Sequence, residues 1–343
     1  MHVKMMRKLD RFMGIPLCWA TGLWTKVFQK KEVTKPVGEW KNVLVIKFFG
    51  MGSILLATPF LSRLKEQGCS IAFLTFETNR EMAEKLPYPS HVFSISTSSA
   101  IGFVTDTMNA LRAIRGLAID AVFDLEFFSK FSTLVAWVSG SPIRVGYDLP
   151  VRWRSMNTTH HIPLDHSAHV RELFLHQLKV FGVDVSETPP VSRLMSSRSE
   201  RISMERKLNL AFNGFRIVAV NTNAGPTSLE RRWEPDRFME VAAAILHRRR
   251  NVRFFFTGSA DEHAYVEAAL RHSPKVQSHA VNCAGLLTLG ELIALLERSS
   301  LFLTNDSGPM HIASSVGTPM VALFGPESPQ FYGPFGPSRV LYK

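Results

Sequence analysis

Continuous apolar runs of strand length alternate with helical patterns along most of the chain from Lys41 onward. Apolar runs bounded by polar residues are typical of parallel strands that are covered on both faces. They lie at residues 41–48, 70–76, 91–94, 121–125, 142–146, 215–221, 253–256, 301–304 and 320–324. Helices are predicted between them, for example at 54–67 and 286–298. This alternation predicts an α/β protein built on doubly wound parallel sheets.

One segment interrupts the alternation and predicts two domains. Val183–Arg201 (VDVSETPPVSRLMSSRSER) is rich in proline, serine and charge, as linkers are. We therefore predict a linker at 186–205 between two Rossmann-like domains, 36–185 and 206–343, with a cleft between them. A chain of 343 residues is long enough for each domain to bury its own core.

The first 35 residues differ from the rest in composition. A basic start leads into FMGIPLCWATGLWT, and further lysines follow. The apolar part is shorter than the roughly 20 residues that cross a bilayer, and no signal-peptide cleavage site follows it. Trp19, Trp24 and Phe28 between lysines suit a segment lying in the lipid headgroup region. A helix packed against the protein body is the alternative.

Composition and charge restrict the cellular locations and the binding partners that are predicted for the chain. The three cysteines are scattered without zinc-like spacing, which favours reduced thiols and a cytoplasmic location. The formal charge of +11 favours anionic partners, such as the inner membrane surface or a phosphate-rich substrate. No nucleic-acid motif is present, so nucleic acid is not a predicted partner.

Histidines concentrate in Thr158–His176, at His160, His161, His166 and His169. Their spacing matches no standard metal site, and few carboxylates accompany them. We predict a solvated loop here. No metal and no cofactor is predicted for the chain.

The stretch Leu301–Phe324 carries the densest candidate chemistry. A strand, a polar turn, a helix opening at Pro309 and a second strand follow one another, and proline suits the first turn of a helix. A helix N-terminus offers free N–H groups and partial positive charge to an anion. Asp306, Ser307 and His311 surround this end with groups that bind a sugar, a ribose or a phosphate.

Polar residues also follow the other predicted strands. Two glycines, Gly50 and Gly52, precede Ser53 after the first strand, but the Rossmann fingerprint and the Walker loop both fail there. Glu126 and Lys130 follow a neighbouring strand and belong to the same sheet edge as Ser53. In the second half, Arg231 and Arg232 are placed to meet phosphate, and Glu262 suits ribose hydroxyls.

These residues resemble a known family. TNDSGPMHIASSVGTPMVALFGPESP is similar to the signature of the bacterial ADP-heptose:lipopolysaccharide heptosyltransferases, which are inverting glycosyltransferases of GT-B fold. RRW, GSADE, VLVIKFFGMGSILLATP and DLEFFSKFS extend the resemblance over nearly the whole chain from Lys41. The resemblance implies transfer of heptose or a related sugar from a nucleotide-sugar donor to lipopolysaccharide core or a similar cell-envelope saccharide.

The resemblance also implies residue roles. The C-terminal domain binds the donor, with Asp306, Ser307, Gly308 and His311 facing its sugar and diphosphate. Arg232 takes the place of the basic residue that meets phosphate, and Glu262 is the candidate for ribose. Gly52, Ser53 and Lys130 are the candidates for acceptor binding in the N-terminal domain.

One position departs from the family. Where Ser53 stands, the family usually has an aspartate that is held to deprotonate the acceptor hydroxyl, and serine is no base near neutral pH. Either Glu126 on the same edge serves as the base, or catalysis rests on stabilising the leaving group at the Asp306–His311 turn.

The departure at Ser53 keeps two other functions open, a non-catalytic nucleotide-sugar binder and a GT-B nucleotide-sugar epimerase. The family usually continues into C-terminal helices beyond the strand predicted at Arg339–Lys343, which raises the hypothesis of a truncated chain.

Overall fold

The computed structural model describes residues 10–28, 35–148, 152–209, 214–225 and 229–342. Its contacts divide the chain into two units, Met1–Val191 and Ser192–Lys343, which we call unit 1 and unit 2. The division falls inside the segment 186–205 where the sequence places a linker. Part of that segment is helical, because Ser197 and Glu200 cap the helix Arg198–Lys207 reciprocally.

Unit 1 is a six-stranded parallel sheet covered by helices. The strand order is β3-β2-β1-β4-β5-β6. The strands are β1 (Asn42–Ile46), β2 (Ser70–Phe76), β3 (Pro89–Ile95), β4 (Ala121–Asp124), β5 (Ile143–Asp148) and β6 (His160–Pro163). The helices are α1 (Gly14–Phe28), α2 (Met51–Leu56), α3 (Thr58–Glu66), α4 (Arg80–Glu84), α5 (Ala100–Gly116), α6 (Lys130–Val138), α7 (Arg152–Ser155) and α8 (Val170–Lys179).

Unit 2 repeats this plan with the order β12-β11-β10-β7-β8-β9. The strands are β7 (Arg216–Asn221), β8 (Val252–Phe256), β9 (Ala280–Asn282), β10 (Leu301–Asn305), β11 (Met320–Phe324) and β12 (Ser338–Tyr342). The helices are α9 (Arg198–Lys207), α10 (Pro235–Arg248), α11 (His263–Arg271), α12 (Pro274–Gln277), α13 (Leu289–Arg298), α14 (Gly308–Val316) and α15 (Pro329–Tyr332).

The central strands supply both cores. Leu44 and Ile46 of β1 pack in the core of unit 1, and Val218 and Val220 of β7 do the same in unit 2, all nearly inaccessible to solvent. Such strands are apolar on both faces because helices cover both faces of the sheet. The predicted α/β fold class with two Rossmann-like units is confirmed.

Two local predictions need correction. The helix predicted at 54–67 is two helices, α2 and α3, because Pro59 has no N–H to donate to the Leu55 carbonyl. The Thr58 hydroxyl donates to that carbonyl instead, at 2.7 Å.

The prediction of a solvated loop at Thr158–His176 was wrong. His160 and His161 lie in β6, which pairs with β5. Thr159 starts this pairing, because its N–H donates to the Arg144 carbonyl and its hydroxyl accepts from the Arg144 N–H, both at 2.8 Å. His169 is the N-cap of α8. A histidine-rich composition concealed an edge strand whose hydrogen bonds come from a distant part of the sequence.

Candidate active site

The order of the strands reverses at one point in each sheet. In unit 1 the reversal lies between β1 and β4, and in unit 2 it lies between β7 and β10. Connections leave such a pair of strands toward opposite faces, which opens a crevice outside their carboxyl ends, where ligands of parallel sheets bind. The polar turns singled out from the sequence follow β1, β4, β7, β8 and β10.

Amide side chains hold the crevice of unit 2 in shape. Asn305 ends β10, and its Nδ2 donates to the Thr222 carbonyl at 3.0 Å. Its Oδ1 accepts from the backbone N–H of Trp233 at 3.0 Å. Asn221 Nδ2 donates to the Ser307 hydroxyl at 3.2 Å. The loops after β7 and β10 are therefore fixed to each other at this sheet edge.

Helix α14 starts at this crevice. It begins at Gly308, one residue before the predicted Pro309, and ends at Val316, where the C-cap Gly317 has the left-handed φ of 83° that favours glycine. Pro309 has no N–H, and the Met310 N–H donates to the Ser307 carbonyl at 3.1 Å, so this helix start attracts an anion mainly through the positive end of its dipole. His311 lies in this first turn and is buried.

Asp306 is buried beside this helix start, and an arginine pairs with it. Arg231 Nη1 lies 3.2 Å from Asp306 Oδ2, and Arg231 Nη2 lies 2.6 Å from Glu327 Oε1. Burial raises the pKa of Asp306 from 3.8 to about 6, with Arg231 opposing the rise and Glu327 adding to it. Arg231 therefore places a positive charge at the predicted donor turn.

Arg232 lies elsewhere in the unit. Its Nη2 is 3.3 Å from Glu262 Oε1, and its guanidinium covers the Tyr265 ring at 4.6 Å from the centroid. Glu262 also caps the backbone through Oε2, which accepts from the Ser259 N–H at 2.9 Å. Arg232, on the loop after β7, thus joins Glu262 and Tyr265, which follow β8, in a second polar group whose contacts differ from those of the Asp306–Arg231 pair.

Two buried polar atoms directly after β7 have no hydrogen-bond partner among the residues that the structure describes. They are Thr222 Oγ1 and Asn223 Oδ1. An unsatisfied buried polar group is expensive, so a polar ligand or water is expected to satisfy it. Sequence reasoning missed Thr222 and Asn223. The signal was the run of polar residues directly after the apolar strand β7.

The corresponding turn of unit 1 follows β1. Gly50 is the N-cap of α2 with a φ of 83°, and a Cβ on it would lie 3.0 Å from the Ser53 hydroxyl. Gly52 is buried and Ser53 is half-buried. The tight turn thus brings the backbone of Gly50 against Ser53, as the glycine pattern predicts.

Glu126 ties this turn to β4. Its Oε1 accepts hydrogen bonds from Lys47 Nζ at 2.8 Å, the Phe48 N–H at 2.7 Å and the Phe49 N–H at 2.9 Å. These donors occupy the lone pairs of that oxygen, so Oε1 is unavailable for a substrate proton. Glu126 therefore has a structural task, which sequence reasoning missed, beside the catalytic role predicted for it.

A buried ion pair supports the loop that carries Glu126. Arg154 Nη2 lies 2.8 Å from Asp124 Oδ2, and both side chains are inaccessible to solvent. The same guanidinium donates to the carbonyls of Glu126 and Phe127. Burial raises the pKa of Asp124 to about 6, while Arg154 opposes the rise. The buried Arg154–Asp124 pair thus fixes the backbone of the loop 125–129.

Lys130, which is predicted to bind the acceptor, already has interaction partners within unit 1. Its Nζ donates to the Phe128 carbonyl at 3.2 Å and lies 3.7 Å from Asp10 Oδ2. The Lys130 ammonium also lies over the Trp153 ring, 5.2 Å from its centroid. An anionic acceptor would have to compete with Asp10 for this charge.

Comparison with known proteins decides the family. The profile of glycosyltransferase family 9 (heptosyltransferase) matches residues 108–342, more than half of the chain. The chain belongs to glycosyltransferase family 9. It is 26% identical over 294 residues to lipopolysaccharide heptosyltransferase 3 of Escherichia coli K12, covering 83% of this chain and 82% of that protein.

Solved structures share the fold of this family 9 glycosyltransferase. A family 9 protein from Veillonella parvula superposes with a TM-score of 0.75 at 24% identity, covering 88% of this chain and 86% of that one. The ADP-heptose lipopolysaccharide heptosyltransferase II of Escherichia coli gives a TM-score of 0.70 at 22% identity, covering 88% and 90%. These likenesses agree with the predicted GT-B class.

The predicted site residues of the glycosyltransferase form groups within each unit. Asp306, Ser307, Gly308 and His311 lie together at the unit 2 crevice. Arg232, from the loop after β7, pairs with Glu262, which follows β8. In unit 1, Gly52 and Ser53 lie on the turn after β1 that Glu126 holds, and Lys130 starts α6 beyond β4.

Proposed function

We propose that this glycosyltransferase moves heptose from an ADP-heptose-like donor to lipopolysaccharide core or a similar cell-envelope saccharide, with inversion. The name and near full-length coverage of lipopolysaccharide heptosyltransferase 3 support this proposal. The observation that carries it is the crevice after β7 and β10, where Asp306, the start of α14 and Arg231 meet unsatisfied buried polar atoms. The family match favours a transferase over the epimerase alternative.

The donor diphosphate is assigned to the start of α14. The positive end of the α14 dipole and the Arg231 guanidinium suit a departing diphosphate, whose charge grows as the sugar leaves. Ser307 and His311 are assigned to the donor sugar and diphosphate. Arg231, which the sequence placed beside Arg232 to meet phosphate, is therefore assigned to the diphosphate, whereas the family resemblance had pointed to Arg232 alone.

The nucleoside is assigned to the group after β8. Glu262 presents a carboxylate of the kind that binds ribose hydroxyls, and Arg232 holds it from one side. The guanidinium stacked on Tyr265 makes a flat surface suited to a base or a phosphate.

The acceptor is assigned to the edge of unit 1 that carries Gly52, Ser53 and Lys130. The Ser53 hydroxyl orients the acceptor, because it has no useful basicity near neutral pH. Glu126 is the proposed base through Oε2, since its Oε1 is occupied by three donors. The competing hypothesis, catalysis by leaving-group stabilisation at the Asp306 turn, is kept as an outcome of the experiments below.

The proposed location is the cytoplasm, peripheral on the anionic inner face of the membrane. Within the described ranges, none of the helices combines the length and apolar character that crossing a bilayer requires. The formal charge of +11 and the apolar, lysine-flanked N-terminal segment support contact with anionic lipid.

The test is transfer by the full chain with ADP-heptose and a panel of truncated lipopolysaccharide cores, read by product mass and ADP release. A parallel thermal-shift screen compares ADP-, UDP-, GDP- and dTDP-sugars, because a ligand at about 100 times its Kd stabilises the folded state by about 2.7 kcal/mol. Donor binding without transfer to any acceptor would instead favour the non-catalytic binder. Conversion of the donor alone would favour the epimerase.

The matched variants are Arg231→Met and Arg232→Met. We expect Arg231→Met to reduce kcat by about 100-fold or more, since it removes the charge at the departing diphosphate. Arg232→Met is expected mainly to raise the donor KM, because it lies at the nucleoside group. An unchanged kcat in Arg231→Met would contradict the assignment of the diphosphate.

A further inference from the structure

Helix α1 packs on unit 1 with its small residues and turns its large apolar residues outward, the reverse of the usual arrangement. The face that packs on unit 1 consists of small residues, Gly14, Cys18, Thr21, Gly22 and Thr25. A Cβ on Gly14 would lie 2.6 Å from Lys130 Cβ, and one on Gly22 would lie 2.6 Å from Met156 Cβ. A helix of a soluble domain normally turns its large apolar residues inward, which α1 does not do.

Hydrogen bonds fix α1 on unit 1 in this orientation. Thr21 Oγ1 donates to Asn157 Oδ1 at 2.7 Å, and Asn157 Nδ2 donates to the Cys18 carbonyl at 2.8 Å. Trp137 Nε1 of α6 donates to Thr25 Oγ1 at 2.8 Å. These hydrogen bonds fix which face of α1 points away from unit 1. The alternative predicted from the sequence, a helix packed against the protein body, is confirmed.

The outward face of α1 carries large apolar side chains. Leu23 is 56% exposed, Trp24 is 59% exposed and Val27 is 71% exposed. Phe12, Met13, Leu17 and Trp19 extend the exposed apolar surface toward the N-terminal end. Seven exposed large apolar side chains on one short segment form a more extensive apolar surface than the singly scattered ones of an ordinary protein surface, and such a surface marks an interaction site.

Positive charge accompanies this face. Arg11 and Lys26 are exposed at its two ends. The sequence on either side is basic as well, with Lys4, Arg7 and Lys8 before the helix and Lys30 and Lys31 after it. Tryptophan and leucine flanked by lysine and arginine are the composition of a helix that lies in the plane of an anionic membrane.

The N-terminal end of α1 lies at the acceptor edge of unit 1. Asp10 Oδ1 accepts from the N–H groups of Lys130 and Phe131 at 3.1 and 2.8 Å, which caps α6. The loop before α6 presents Phe128, which is 62% exposed. A surface that engaged α1 would therefore lie close to the residues assigned to the acceptor.

We propose that the outward face of α1, together with Phe128, docks unit 1 onto an anionic bilayer and presents the acceptor edge to a membrane-embedded acceptor. The docking names the surface that would provide the membrane location proposed above, and the presentation of the acceptor rests on the proposed transfer reaction. The apolar side chains enter the headgroup region, and the flanking basic residues pair with anionic lipid. Because α1 is fixed on unit 1, its docking sets the orientation of the acceptor edge relative to the bilayer.

The experiment is sedimentation of the full chain with vesicles of phosphatidylethanolamine and phosphatidylglycerol, compared with phosphatidylcholine alone. The test variant carries Leu23→Ser, Trp24→Ser and Val27→Ser. The matched control carries Ile101→Ser, Val104→Ser and Met108→Ser on α5, whose side chains are equally apolar and 79%, 55% and 49% exposed. Thermal unfolding of both variants verifies that they fold.

We expect the α1 variant to bind the anionic vesicles at least about tenfold more weakly, because three apolar side chains no longer enter the lipid. The control variant is expected to bind like the wild type, and phosphatidylcholine is expected to bind the wild type more weakly. Equal binding by the α1 variant and the wild type overturns the proposal. So does self-association of the wild type through this face, seen by light scattering, with vesicle binding unchanged in the variant.

Two acceptors separate this proposal from the proposed function. The α1 variant is expected to lose at least about tenfold in transfer to a vesicle-embedded acceptor while keeping its rate on a water-soluble deacylated one. Equal loss on both acceptors overturns the orienting role. If the wild type transfers to neither acceptor but still binds vesicles through α1, the proposed function fails and the docking surface stands.

Discussion

Asp306 is predicted to reduce the stability of unit 2 at neutral pH, and Asp306→Asn is predicted to restore it. The carboxyl group is 5% exposed, and burial raises its pKa from 3.8 to about 6. A difference of one pKa unit is worth about 1.4 kcal/mol, so the ionised group costs about 3 kcal/mol above pH 6. Asparagine has nearly the same shape and carries no charge.

The direction of this change in stability with pH follows from proton binding to Asp306. The folded state holds the Asp306 proton more tightly than the unfolded chain, so the free energy of unfolding falls as pH rises from about 4 to about 6. Above that range the deficit is constant. We expect Asp306→Asn to exceed the wild type by about 3 kcal/mol near pH 7.5 and by only about 1 kcal/mol near pH 4.5. Arg231 keeps Glu327 as a partner in the variant.

The assay is hydrogen exchange during urea unfolding, followed in peptides from residues 301–324, which report on unit 2 separately from unit 1. Asp124 also has a pKa raised to about 6, but it is present in both proteins and cancels from their difference. The same variant is expected to lose about 100-fold or more in transfer, since the predicted donor turn loses its carboxylate. A stability gain that is absent, or equal at both pH values, would refute the electrostatic reasoning.

Two further predictions concern unit 1. Arg154→Met should destabilise it by about 3–5 kcal/mol in urea unfolding, because Asp124 is left as an unpaired buried charge. The double variant with Asp124→Leu should recover most of that loss, and no recovery would mean that the carbonyl bonds of Arg154 matter more than the ion pair. Glu126→Gln should slow transfer by about two to four orders of magnitude if Oε2 is the base. An unchanged rate in the folded variant would favour leaving-group stabilisation instead.

Local patterns were sufficient to predict much of this protein. The apolar runs of β1, β7 and β10 are continuous because both faces of a parallel sheet are covered, so their type could be read without knowing their neighbours. Likewise, the turn from Asn305 to His311 combines strand end, polar residues and helix start within a few positions. The alternation and its usual handedness restrict the possible strand orders to a few, and tertiary pairing of the strands selects the observed one.

Contacts between residues far apart in sequence decided the rest. Adjacent arginines, Arg231 and Arg232, are equivalent in the sequence, yet one pairs with Asp306 and the other with Glu262. Glu126 was a plausible base by position, and only the tertiary structure revealed the three donors on its Oε1.

The orientation of helix α1 was likewise decided by tertiary contacts. Its composition is apolar around most of its circumference, so hydrophobic periodicity left membrane contact and packing equally open. The structure decided that the small residues face unit 1, since Gly14 and Gly22 allow close approach to Lys130 and Met156. A sequence pattern determines which residues can be buried, whereas the partner surface determines which of them are.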